Sequence, residues 1–570
     1  MVRNPDNPLT VQSDRTLLLE VEHPRYVEAR NLLARFAELE KSPEFVHTYR
    51  ITPLSVWNAL AAGMTAGGIL ESLEALSRYD VPPSIATEIR GWTERYGKIR
   101  LERRDERLVL CSEDPLLLRE IWSSSYARSL LGERLDETAI FVDDLHRGRL
   151  KQALIKLGYP VRDLAGYVEG APLEFALREN TRQGEPFHVR HYQREAAEIF
   201  HAGGAVTGGS GVVVLPCGAG KTIVGLAVMA KLRTHTLILC TNTTAVRQWI
   251  REILDKTTLS EEEVGEYTGK AKEIRPVTVS DYQILTYRRR KVDPFLHFDL
   301  VSGNDWGLIL YDEVHLLPAP VFRVTAEIQA RRRLGLTATL VREDGKEEDV
   351  FTLVGPKKYD VPWKVLEEQG WIAAASCIEV RVPLEDAMRG RYAVADGREK
   401  FRIASENDRK TEMVRRILER HRDDRVLIIG QYLDQLRRIA ATFDAPLITG
   451  KTAQSTREQL YGKFRNGAIT LLAVSKVGNF SVDLPDANVA IQVSGTFGSR
   501  QEEAQRLGRI LRPKKQGTQA LFYSLVTRDT RDQEFASKRQ LFLTEQGYTY
   551  EIRDDRLFEG RPAGRWDPCT

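Results

Sequence analysis

"GVVVLPCGAGKTIVGLAVMAKL", residues 211–232, reads as a strand, a glycine-rich loop and a helix. Gly218 and Gly220 let the backbone curl until its N–H groups face inward. The helix starting near Lys221 adds the positive end of its dipole. Lys221 can then reach the terminal phosphates of a nucleotide, and the Thr222 hydroxyl can ligate magnesium. The full pattern G-x-x-x-x-G-K-[ST] is not met, because Leu215 stands at the first glycine position. Alone, the loop could be a chance glycine turn; its place between a strand and a helix argues for phosphate.

A phosphate loop needs acids at the tip of a nearby parallel strand, and "LILYDEVHLLPA" (308–319) supplies them. Asp312 follows the apolar run where such a tip would lie, placed to bind magnesium, and Glu313 to polarise the attacking water. The alternative is a pair of solvated acids after a strand. "LTATLVRED" (336–344) then puts Thr337 and Thr339 at the end of the next strand.

The wider chain repeats this texture. Apolar runs of strand length fall at 211–215, 236–240, 277–280, 306–310 and 334–339, then at 425–430, 445–450, 470–475, 488–493 and 520–526. Helical segments separate them. Continuous apolar strands alternating with helices argue for parallel sheets covered on both faces. Two such series argue for two α/β lobes, expected over 179–365 and 366–550 with a tail at 551–570. A short linker is expected at 179–188.

In front lie smaller units. Residues 1–112 hold a strand-like run at 15–23, a helix at 25–39, three helical stretches, and "KIRLERRDERLVLC" (98–111), two alternating strands around a charged turn. Helices followed by a hairpin suggest a winged-helix module, or else a helical docking domain. Residues 113–178 read as a second small α/β unit.

Composition bounds the class. The 570 residues are 42% hydrophobic and 29% charged, which excludes wholesale disorder. No apolar stretch approaches the ~18–20 residues needed to cross a bilayer, and the start lacks a secretory core; a cytoplasmic protein with no membrane contact is expected. The five cysteines are scattered, with no C-x-x-C, so no zinc or iron–sulfur site is spelled out. A net charge of +3 means any nucleic-acid surface must come from local clusters. "YRRRK" (287–291) and "ARRRLGL" (330–336) are candidates, although a solvated face or a helix C-terminus explains each as well.

"EEAQRLGRILRPKK" (502–515) places Gln505, Arg509 and Arg512 on one helical face. Gly508, costly by about 1 kcal/mol in a helix interior, suggests close approach to something. The sharp reading is that Arg509 and Arg512 reach a γ-phosphate.

Together these residues resemble helicase superfamily 2, and more narrowly the XPB family of DNA repair helicases, in its shorter prokaryotic form. The stretches that carry the resemblance are "LPCGAGKT", "DEVHLLPA" (a DEVH box), "LGLTATLVRED", "VSKVGNFSVDLPDANVAIQVSGTFGSRQEEAQRLGRILRPK" and "YSLVTRDT…FASKRQLFLTEQGY". They span about residues 185–550. The resemblance implies two RecA-like lobes behind N-terminal accessory domains, a damage-recognition-like domain near 113–170, and ATP-driven 3′→5′ movement on DNA with duplex opening. ATP and Mg2+ are the implied cofactors. Single-stranded, forked or duplex DNA is the implied substrate, with a nuclease or repair protein as partner.

Residue by residue, it implies nucleotide binding by Arg190, Gln193, Gly218, Gly220, Lys221, Thr222 and Asp483, with Thr222 and Asp312 at the metal. Lys221, Asp312, Glu313, His315, Gln505, Arg509 and Arg512 carry hydrolysis. His315 links the nucleotide to Thr337 and Thr339, and Arg342, Glu343 and Asp344 match a strand-separating element. Taken without the family, Gln193 could be a surface glutamine and 342–344 any charged loop. The family's thumb-like insert has only 384–407 available here, which looks short. Two alternatives to a helicase stand: a duplex translocase that never separates strands, and an ATP-switched scaffold that recruits repair partners.

Overall fold

The structure, a computed structural model, describes residues 4–41, 45–205, 208–216, 218–288, 296–297, 300, 304–317, 331–338, 347–361, 363–371, 375–475, 487–495, 520–545 and 550–555. It divides into two compact units, one of residues 1–38, 48–215 and 220–360, the other of 39–47, 216–219 and 361–570.

The larger unit is built on a seven-stranded sheet. Its strands are β1 (Ser210–Val214), β2 (Thr236–Cys240), β3 (Val264–Tyr267), β4 (Val277–Asp281), β5 (Leu308–Asp312), β6 (Arg332–Thr337) and β7 (Lys357–Asp360). They run β3-β4-β2-β5-β6-β1-β7, and every pair is parallel. Three of these strands, β1, β2 and β4, are buried along their whole length, as central strands are when helices cover both faces.

The second lobe repeats the plan. Strands β8 (Ala375–Val382), β9 (Val426–Gly430), β10 (Leu447–Ile448), β11 (Leu471–Ser475), β12 (Val489–Gln492), β13 (Ala520–Thr527) and β14 (Tyr550–Asp554) run β10-β11-β9-β12-β13-β8-β14, again all parallel. Counted from each lobe's first strand, the two orders are the same. Two RecA-like lobes are therefore present. The segment 384–407 forms two helices, Asp386–Val394 and Gly397–Ser405, the second capped by Asp396 accepting from the backbone N–H groups of Arg398 and Glu399.

The front of the chain differs from the sequence expectation. The hairpin Arg100–Arg104/Arg107–Cys111 is not a wing on the helices before it. It forms the middle of a four-stranded sheet, flanked by Ala139–Val142 and by Arg162–Asp163. One sheet thus runs across position 112. Its apolar face (Leu101, Leu108, Leu110) shares a core with Leu117, Ile121, Ile140 and Leu150, all from the following segment. The helix expected over 25–39 ends earlier, at Leu33, and a strand begins at Glu38.

Both accessory parts are tied into the first lobe. Asn58, on the helix Pro53–Ala61, accepts from the Lys357 N–H of edge strand β7 at 3.0 Å. Gln152, on the helix Arg147–Lys156, donates to Asp349 at 3.0 Å. Beside that helix lies a buried charge cluster. Asp163 accepts from Arg147 through both carboxylate oxygens (3.0 and 2.7 Å) and from Lys151 (3.1 Å). Arg333 of β6 is fully buried, and its guanidinium and that of Arg147 both lie against the Tyr167 ring. In the described part of the basic run 330–336, Arg332–Thr337 is strand β6, and Arg333 points into the join with the accessory sheet instead of into solvent. The stretch expected as a linker, 179–188, is a tight turn with Asn180 bridged to Pro186, and Arg182 bonded to Asp255.

Candidate active site

Because all seven strands are parallel, their carboxyl ends lie along one edge, where ligands bind in sheets of this kind. β5, β6 and β1 are adjacent, with Asp312 opposite Leu336 and Thr337 opposite Val214. The chain order thus brings the loop after β1, the acids after β5 and the threonine ending β6 to one place.

The loop turns as its glycines allow: Gly218 has φ 82° and Gly220 φ 77°. Gly220 caps helix α2 (Lys221–Leu232). A Cβ there would stand 2.5 Å from Nε2 of Gln193, so the glutamine amide lies directly over the helix start. Gln193 is 3% exposed, on the helix α1 (His191–His201), and its Oε1 accepts from the Arg190 N–H at 2.9 Å. The surface-glutamine alternative is set aside by that burial. Arg190 donates to the Tyr192 hydroxyl.

Glu313 is in the left-handed region, φ 50° and ψ 55°, a conformation that costs a non-glycine residue roughly 1–2 kcal/mol. Lys221 Nζ stands 3.6 Å from Oε1 of Glu313, and His315 Nδ1 stands 3.5 Å from its Oε2. His315 is buried, and its Nδ1 lies 2.6 Å from Thr337 Oγ1. Lysine, acid, imidazole and threonine thus form one connected row.

Asp312 is held differently. Its Oδ2 accepts from the indole N–H of Trp249 at 3.0 Å, and its carbonyl accepts from the Tyr282 hydroxyl at 2.8 Å. Burial, and next the neighbouring Glu313 charge, push its carboxyl up to about 6. Two carboxylates crowded at one edge, with Oε2 of Glu313 accepting no hydrogen bond, suit a divalent cation. Among the described residues no group of three or more His, Cys, Asp or Glu could hold a metal alone. Magnesium fits that donor set, since it typically takes one or two carboxylates and completes its shell with substrate phosphates.

Trp249 was not singled out in the sequence. Its spacing with Val246 and Ile253 on helix α3 (Thr243–Lys256) reads only as a core stripe. Gln505, Arg509, Arg512, Asp483, Thr339, Arg342, Glu343 and Asp344 lie outside the described residues.

The chain matches known families along most of its length. A model described as ERCC3/RAD25/XPB C-terminal helicase matches residues 366–557, one described as type III restriction enzyme, res subunit, matches 186–342, and one described as helicase conserved C-terminal domain matches 9–136. A Kineococcus radiotolerans protein named DNA 3′-5′ helicase XPB is 55% identical over 556 residues, covering 97% of this chain and 98% of that protein. The chain belongs to the XPB helicase family. A second XPB relative, from Mycobacterium tuberculosis and of the same name, is 54% identical over 550 residues, covering 96% of this chain and 98% of that one. The XPB resemblance reaches beyond bacteria. An Enterocytozoon bieneusi protein named general transcription and DNA repair factor IIH helicase/translocase subunit XPB is 32% identical over 566 residues, covering 96% and 92%.

Proposed function

We propose that this chain is an ATP-dependent 3′–5′ DNA helicase acting in DNA repair, with the nucleotide seated at the carboxyl edge of the first lobe. The observation that carries the reading is the Lys221–Glu313 pair at that edge, in a chain that overlaps relatives named 3′-5′ helicases almost end to end. When ATP arrives, the Lys221 ammonium exchanges Glu313 for the terminal phosphates. The freed Glu313 carboxylate then orients and polarises the attacking water. Thr222 and Asp312 would hold magnesium, which when bound neutralises charge on the phosphates. Gln193, over the helix start, reads the base. His315 carries the state of Glu313 to Thr337, and so to the segment bearing Thr339, Arg342, Glu343 and Asp344.

Arg509 and Arg512, with Gln505 and Asp483, supply the second lobe's side of the nucleotide. Loss of the γ-phosphate releases those contacts, which couples hydrolysis to movement along DNA. DNA is gripped mainly through phosphates, so binding falls with salt and depends little on sequence.

The test is ATPase rate against single-stranded DNA, duplex, fork and RNA at matched salt. DNA is expected to stimulate hydrolysis at least tenfold; equal stimulation by RNA would overturn the substrate. The translocase reading draws on the Enterocytozoon relative's name. Triplex displacement without opening of a fork would favour it.

A further inference from the structure

Trp249 is 2% exposed and belongs to none of the groups assigned so far. One end of its indole is wedged against helix α2. A Cβ added at Gly225 would stand 2.7 Å from the indole Cη2 and 2.8 Å from Leu310 Cδ1. The ring cannot slide toward α2. Its N–H, at the other end, meets Asp312 Oδ2 at 3.0 Å. The backbone of Asp312 is separately fixed by Tyr282.

A carboxylate has a broad, roughly two-fold torsion about its last bond. One hydrogen bond from an immobile donor to one oxygen selects an orientation and commits the other oxygen to the opposite side. We propose that Trp249 is a positioning residue: by holding Oδ2 of Asp312 it presents the other oxygen, Oδ1, to the metal–nucleotide. This rests on the reading of Asp312 as the metal-facing acid. Packing of Gly225 against the indole sets the donor's position, so the glycine, the tryptophan and the aspartate act as one device. Outer-shell partners of this kind typically cost 10–100-fold in metal affinity when removed.

Two variants of the full chain separate the N–H from the ring. Trp249→Phe keeps an aromatic wedge. Replacement of Trp249 by β-(3-benzothienyl)alanine keeps the bicyclic shape and has sulfur in place of the N–H. Mn2+ binding is followed by electron paramagnetic resonance in the presence of a non-hydrolysable ATP analogue, and analogue binding without metal is measured alongside. Both variants are expected to weaken Mn2+ at least tenfold and to leave metal-free analogue binding within twofold. In an Asp312→Asn background the benzothienyl replacement is expected to change nothing further. Mn2+ affinity within twofold of the native chain in the benzothienyl protein would overturn the proposal. So would an equal loss in the Asp312→Asn background, which would make the ring a packing element. If Asp312→Asn alone leaves Mn2+ affinity unchanged, the assignment of Asp312 fails first, and the role of Trp249 with it.

Discussion

The charge cluster at the join of accessory sheet and first lobe makes two neighbouring substitutions act in opposite directions. One carboxylate, Asp163, faces Arg147 and Lys151, with Arg333 close by. Arg147 already occupies both oxygens of Asp163. Lys151 comes to an acid that is largely satisfied, in a site that two guanidinium groups make positive. Burial first, opposed by Asp163, then Arg333 and Arg147, bring its ammonium down from 10.5 to about 8. At pH 7 the lysine is charged both folded and unfolded, and holding it charged inside costs about 3 kcal/mol. Lys151→Met keeps the stem and removes the charge, so it should stabilise the unit by an amount of that order. With a urea slope of about 3 kcal/mol/M, the midpoint rises by about 1 M.

The pH sign follows from the same depression. Between the folded value near 8 and the unfolded value of 10.5, the unfolded chain binds more protons, so native stability climbs with pH there. The advantage of Lys151→Met should fall to less than half by pH 9.5, by about the ratio that linkage gives. Asp163→Asn does the reverse, leaving three buried cations without their acid, a loss of roughly 3–5 kcal/mol. Asp163 is held below its usual range by Lys151 and Arg147 against its own burial. Its contribution is present above the unfolded carboxylate range and lost as pH falls through the folded value. Urea titrations of the full chain at pH 7 and 9.5, followed by tryptophan fluorescence, read the effect of each substitution and the pH dependence of Lys151→Met. A Lys151→Met chain less stable than the native one at pH 7, or a gain that does not shrink at pH 9.5, refutes the reasoning.

Glu313→Gln is expected to bind an ATP analogue as the native chain does and to lose turnover; near-normal hydrolysis would remove Glu313 from the water-activating role. Gln193→Ala should weaken ATP about tenfold, the cost of losing a buried amide contact, and weaken GTP less. An unchanged ATP:GTP ratio would take base reading away from Gln193. Arg342→Ala should reduce fork unwinding more than DNA-stimulated ATPase, and an equal fall in both would argue against a wedge.

The sheets were legible where strands are buried on both faces, as in Thr236–Cys240 and Val426–Gly430, because burial there favours nearly unbroken apolar runs. Val264–Tyr267, Lys357–Asp360 and Tyr550–Asp554 escaped because each is an edge strand with polar residues facing out. Ala375–Val382 escaped for another reason: it carries Glu379, 2% exposed and satisfied by Arg381 and the Tyr550 hydroxyl, contacts no local pattern announces. The meeting of Lys221 with Glu313 was legible because parallel topology forces strand ends together. The Trp249–Asp312 bond was not, since it joins residues 63 apart through helix packing. Nor was the burial of Arg333, which donates to Ser210 of the adjacent strand and lies against the Tyr167 ring, 166 positions earlier in the chain.

That last contact bears on what the front of the chain is for. If residues 1–170 were only a recruitment platform, their removal should leave the motor intact. Instead Asn58 caps an edge N–H of β7, Gln152 holds Asp349, and Thr234 donates to the Glu169 carbonyl at 2.7 Å. Gly170 lies so close to Gly307 that a Cβ on it would stand 2.2 Å from the Gly307 nitrogen. A chain cut at 170 would lose Asp163 from beside Arg333 and uncover one face of the helix Glu347–Leu353, which begins three residues after Asp344. Lost ATPase in such a truncation would therefore report a damaged first lobe, whatever partner the front recruits. The accessory region is structurally part of the lobe that binds the nucleotide, and a separable scaffold role can be tested only by substitutions on its outer face.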